Sequence, residues 1–95
     1  MILIDKTRMA LRLTGEDYDE ELLELIKAAK SDLGIAGVAL PEDLDEICER
    51  AIISYVRLHF DRMEDGEYDR LKASYDEQKA QLSMATGYTV WGDQT

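Results

Sequence analysis

The run Ala51-Ile52-Ile53-Ser54-Tyr55-Val56-Arg57-Leu58-His59-Phe60 would place apolar side chains on nearly every side of a helix. A helix that is apolar all round is buried all round, so the rest of a 95-residue chain must serve as its cover. A chain of this length holds one core rather than two. The expectation is an all-α fold, a small bundle of about four helices in which the third is central. Residues 1–87 form a single helical domain on this reading, and residues 88–95 a C-terminal tail.

The covering helices follow from period and punctuation. A short first helix is expected from about Asp5 to Leu13, with Asp5 as N-cap and Met9 and Leu13 on one face. Thr14-Gly15-Glu16-Asp17 interrupts it, and Asp17 with Glu20 has the capping-box spacing that opens a second helix. Tyr18, Leu22, Leu25, Ile26, Ala29 and Leu33 then recur at helical spacing, and Gly34 is the expected stop. Leu23 lies off that stripe. The segment Gly34 to Pro41 is an unusually apolar loop, expected to pack over a helix end or into a neighbour.

The third helix is expected to start between Pro41 and Asp43, where Asp43 and Glu46 repeat the capping spacing. Leu25, Ile52, Tyr55 and Val56 should be core. A long fourth helix runs from about Glu67 to Ala85, with Gly87 ending it. Tyr68, Leu71, Tyr75, Leu82 and Ala85 fall on a narrow heptad seam with Gln78 at its one polar position, and such seams often meet a partner helix. Tyr88 and Trp91 lie beyond Gly87. Trp91 is the only tryptophan; such a tail either folds back on its own core or docks on another molecule, and the second is favoured because Trp and Tyr dominate interface hot spots.

Charge restricts what the surface can meet. The chain carries 21 acidic and 11 basic residues, a formal net charge of −10. Such a surface repels phosphate backbones and argues against gripping nucleic acid, though not against standing beside it. Residues 1–13 are the exception: Lys6, Arg8 and Arg12 oppose only Asp5, a local +2, and everything after them sums to −12. The first end of the chain can therefore attract what the rest of it displays.

The chemistry needed for catalysis is missing from the pattern. Glu16-Asp17-Tyr18-Asp19-Glu20-Glu21 is the densest carboxylate cluster, but counting an EF-hand loop from Asp17 puts Leu22 and Ala28 where glycine and glutamate are required. Acids favoured by a helix N-terminus explain it better. His59, the only histidine, has no nucleophile beside it in sequence and reads as a core-edge residue. Cys48, the only cysteine, permits no internal disulfide; with Asp45 nearby and no cation preceding it, it reads as a small core residue. No phosphate-binding glycine loop or nucleophile elbow occurs. The expectation is a non-enzymatic protein with no catalytic, cofactor or metal site. No apolar run is long enough to cross a membrane, and the N-terminus lacks a basic leader, so synthesis in the cytoplasm is expected.

Three segments together carry a family resemblance. The opening combines a short helix through Leu11-Arg12-Leu13, an acidic turn and Leu22-Leu23 with Leu25-Ile26 and Ala28-Ala29. The middle brings Ala51-Ile52, Tyr55-Val56 and His59-Phe60 into an acidic loop. The most specific stretch is Tyr68-Asp69-Arg70-Leu71-Lys72, then Ser74-Tyr75-Asp76-Glu77-Gln78-Lys79 and Leu82, continuing to Ala85-Thr86-Gly87-Tyr88. Over roughly residues 5–91 the chain resembles the small head–tail connector (adaptor) proteins of tailed bacteriophages, often described as DNA-packaging proteins.

The resemblance implies a helical subunit of a homo-oligomeric ring, typically of twelve copies in the virion, beneath the portal vertex. Such a ring joins the portal protein to the tail or stopper protein, and double-stranded DNA passes through without sequence-specific binding. It would place the protein at the head–tail junction, and in the host cytoplasm during assembly or encoded by a prophage. The last helix and tail, Tyr68 to Trp91, would face the portal and neighbouring subunits. Candidate interface residues are then Lys6, Arg8, Arg12, Tyr68, Leu71, Tyr75, Leu82, Tyr88 and Trp91. The competing class is an acidic helical protein-interaction module that mimics DNA charge, but its carboxylates would have to run phosphate-like along one face. Here they gather at helix starts and turns.

Overall fold

The computed structural model describes residues 2–60 and 63–85. Its centre is α3, Glu46–Phe60, flanked by α2, Asp19–Ile35, on one side and by α4, Asp65–Met84, on the other; the short α1, Leu3–Ala10, lies against α2 and α3. The expected all-α bundle of four helices with a central third helix is therefore what the described residues form. The tail positions, including Tyr88 and Trp91, lie outside the described residues.

Burial follows the periodic stripes. Cys48, Ala51, Ile52 and Val56 on α3 are fully enclosed, with Ser54 and Leu58 nearly so. Leu22, Ile26, Ala29 and Leu33 are the inward line of α2, while Tyr75 and Leu82 are the buried residues of α4. Leu25 and Tyr55 are partly buried and pack against this cluster from its edge. The central helix is not covered all round: Ile47, Arg50, Arg57 and His59 reach solvent.

Helix ends differ most from expectation. α1 begins at Leu3, two residues before Asp5, and its covered side holds Thr7 and Leu11 rather than Met9, which is mostly exposed. Thr7 satisfies its buried hydroxyl by donating to the Leu3 carbonyl at 2.8 Å. α2 begins at Asp19 with no side-chain cap, because Asp19 turns its carboxylate to Arg8 and Asp17 stays outside the helix. α3 begins at Glu46, and its cap is Asp45, whose Oδ1 accepts from the Cys48 amide at 3.0 Å. The Asp43–Glu46 spacing is not used as a capping box. Leu40 and Leu44 instead carry this segment across the core in non-helical form. α4 begins at Asp65, two residues before Glu67.

The same hydrogen-bond motif ends the first two helices. In α2 the Val38 amide donates to the Leu33 carbonyl and the Gly37 amide to the Gly34 carbonyl, each at 3.0 Å, with Gly37 at φ 92°. This is a Schellman stop at Gly37 rather than at Gly34, and its apolar contact is between buried Val38 and Leu33. Val38 of the apolar loop thus packs over its own helix end, while Ile35 is left mostly exposed. In α1 the Leu13 amide donates to Arg8 and the Arg12 amide to Met9, so Arg12, at φ 59°, occupies the left-handed position that glycine usually fills.

Candidate functional site

A hollow of about 250 Å³ opens where the second half of α2, the end of α3 and the middle of α4 converge. Its floor is polar and cross-linked. The Tyr75 hydroxyl donates to Asp32 Oδ2 at 2.5 Å, and Lys79 Nζ donates to the same oxygen at 3.2 Å while standing 5.1 Å from the Tyr75 ring centre. Burial alone would push the Asp32 carboxyl up, but the hydrogen bonds from Tyr75 and Lys79 outweigh it and hold it below the usual range. Burial, reinforced by Asp32, drives the Tyr75 phenol well above its ordinary value. At any ordinary pH this floor is therefore a neutral phenol and a lysine gathered on one carboxylate.

The walls are aromatic. Tyr55 packs edge-on against Tyr75, centroids 5.6 Å apart, and lies 4.2 Å from the imidazole of His59. Tyr68 stands at the mouth, one of the exposed large hydrophobic residues of the chain. Lys72 reaches along the rim to Asp76 at 3.0 Å, and this bond raises its pKa. That exposed i,i+4 pair contributes little to stability and leaves Lys72 able to turn to another acceptor.

The expected interface residues are thus spread over two regions. Tyr75 and Leu82 are buried against the chain's own α3 and Leu71 is half-buried there, so much of the α4 seam is consumed within the domain. Tyr68 remains open, and Gln78 keeps a buried Oε1 with no hydrogen-bond partner among the described residues. At the other region, Lys6 Nζ bonds Glu49 Oε1 at 2.7 Å, and Arg8 is shared between Asp5 at 2.5 Å and Asp19 at 2.7 Å. The hydrogen bonds that Arg8 donates to Asp19 and Asp5 raise its pKa further. Two of the three cations of residues 1–13 are therefore held by the chain itself. Arg12 is exposed and lines a smaller hollow with Tyr18, whose exposed ring packs edge-on on Phe60 at 5.5 Å.

The spacing argument missed Asp32, Tyr55, Lys79 and His59 as members of one cleft. The legible signal was Tyr68 and Tyr75 on the seam of the fourth helix, both of which line the cleft. Among the described residues no group of histidine, cysteine or acidic side chains is arranged to hold a metal ion. Cys48 is buried, and that burial with Asp45 pushes its thiol up to about 11, which makes it an inert core residue. No helix among the described residues is long and apolar enough to cross a membrane.

What the fold and cleft define is a small all-α domain whose distinctive surface is an aromatic, polar-floored hollow. Residues 3–89 match the model of the phage connector protein family, and the chain belongs to that family. No curated protein and no solved structure matches it.

Proposed function

We propose that this protein is a structural subunit of the connector ring that joins the portal vertex to the tail or its stopper and lets double-stranded DNA pass during packaging and ejection. Family membership across residues 3–89 is the observation that carries the reading. The physical features agree with it. A ring needs two different complementary patches on each subunit, and the chain offers an aromatic cleft at one place and a separate exposed hollow lined by Arg12 and Tyr18 at another. A conduit should not hold DNA, and a net charge of −10 per subunit repels phosphate. Partners are then further copies of the chain, a portal protein and a tail or stopper protein, with the assembly at the head–tail junction of the virion.

The test is a mass measurement of the purified protein with a cognate portal assembly, followed by electron microscopy of the complex. A closed ring of this chain seated on the portal is the expected result. Failure to bind the portal at low and moderate salt, with the protein folded, would overturn the proposal.

A further inference from the structure

We propose that α1 is a strap held by charge: it undocks from α2 and α3 as one unit while the rest of the bundle stays folded, and its closed state withholds Lys6 and Arg8 from other acceptors. A helix of eight residues is too short to persist by itself in water, so α1 exists only where its contacts hold it. Its apolar anchoring is thin. Thr7 is the buried residue of the helix, Leu3 and Ile4 are only partly covered, and Met9 is mostly exposed. Leu11, just past the helix end, adds one buried leucine. The backbone gives no further hold: the amides of Lys6, Leu11, Arg12 and Leu13 all donate to carbonyls within residues 2–13. The Thr7 hydroxyl likewise ends on Leu3 of the same helix. Two ion pairs make the crossing, Lys6 to Glu49 on α3 and Arg8 to Asp19 on α2, each at 2.7 Å.

The other three helices are joined differently. Leu22, Ile26, Ala29 and Leu33 of α2, Ile52 and Val56 of α3, and Tyr75 and Leu82 of α4 form one buried cluster, and elements that share such a core open last. The link between α1 and that cluster is built as a hinge. Residues 14–18 are exposed and non-helical, a Cβ on Gly15 would meet nothing within 4 Å, and Arg12 enters the link at φ 59°, a strained conformation that opening relieves. The paired side chains are all partly exposed, so dissolved salt screens them. Opening therefore costs little and falls in cost as ionic strength rises. It also changes what the surface offers: Lys6 and Arg8 leave Glu49 and Asp19 and join the exposed Arg12 as one basic segment on an otherwise acidic chain.

Residue-resolved amide hydrogen exchange of the full chain at neutral pH tests this, with α3 as the internal reference. The amides of residues 6–13 should exchange well ahead of those of α3. Raising sodium chloride from about 0.05 to about 0.5 M should widen the ratio of the two rates roughly three- to tenfold. The double variant Lys6→Gln/Arg8→Gln removes both crossing pairs. It should exchange fast over residues 6–13 at either salt concentration while α3 keeps its protection. The variant Arg50→Gln/Arg57→Gln makes the same change in net charge at exposed positions of α3 and should leave the salt response of α1 as in wild type. Equal protection of α1 and α3 at both salt concentrations would overturn the proposal. So would a salt response shared by all four helices, a wild-type ratio in the Lys6→Gln/Arg8→Gln protein, or loss of α3 protection together with that of α1 in that protein.

Discussion

Arg8 closes on Asp19 with two parallel hydrogen bonds, Nε to Oδ1 and Nη2 to Oδ2, each 2.7 Å long, and so ties the first helix to the first residue of the second. The fork geometry is the strong form of this contact, and Asp5 adds a bond to the same guanidinium at 2.5 Å. The hydrogen bond from Arg8 holds the Asp19 carboxyl below its ordinary range. A carboxylate lowered in the folded state contributes stability that is complete above its unfolded pKa, near about 4, and disappears as pH falls through the lowered value. Asp19→Asn should therefore melt at lower urea than wild type at pH 7, and the gap should close at acid pH. Urea midpoints of both proteins at pH 7 and pH 3 check this, and a gap that does not change with pH would deny the pair any charge-dependent role.

The core offers a contrast between two leucine-like positions in the same packing. Ile52 is wholly enclosed on the central helix, whereas Leu25 sits at the margin of the cluster. Ile52→Ala should cost about 2–5 kcal/mol, from lost transfer energy and the cavity left behind. Leu25→Ala should cost clearly less, about 1–2 kcal/mol, since part of the side chain already meets water. Equal losses in denaturant titrations would mean the assigned margin is part of the interior.

Tyr75 joins α4 to α2 through a contact that spans 43 residues of sequence. Tyr75→Phe keeps the ring packing against Tyr55 but leaves Asp32 with Lys79 alone. The loss should be about 1–2 kcal/mol, in the range for a hydrogen bond to a charged acceptor. A cycle with Asp32→Asn measures the coupling directly, and additive effects of the two substitutions would show that the bond contributes nothing beyond packing.

The helices were legible because the chain repeats apolar residues at a helical period, and Leu22, Ile26, Ala29 and Leu33 are buried where that period places them. Their ends were not, because a cap is decided by one side chain's choice of partner. Asp17 and Asp43 have the right residues three positions on, yet Asp45 makes the cap bond, to a cysteine amide, and Asp19 is drawn away by an arginine eleven residues earlier. The cleft was legible only in part for a related reason. Tyr68 and Tyr75 stand out on one helix, but the floor is completed by Asp32, which no local spacing connects to them. Long-range pairing also changes the meaning of the basic first helix: Lys6 meets Glu49 across 43 residues, and only the fold reveals that this charge is already matched.

The two Schellman stops give the sharpest test of where the helices end. Gly34 lies within α2, and a Cβ built on it meets nothing within 4 Å, so Gly34→Ala should gain helix propensity and raise stability by about 0.5–1 kcal/mol. Gly37 carries φ 92°, a conformation an L side chain enters only with strain, so Gly37→Ala should lower stability by about 1 kcal/mol or more. Arg12 holds the equivalent place after α1 at φ 59° without being a glycine. Arg12→Gly should relieve that strain, offset in part by the greater freedom of glycine in the unfolded chain, for a net gain of up to about 1 kcal/mol. Urea midpoints of the three variants, measured at one pH, should therefore move up, down and up. A loss at Gly34→Ala with no loss at Gly37→Ala would return the stop to Gly34. A loss at Arg12→Gly would mean that the arginine side chain contributes to the folded monomer by more than the strain it carries.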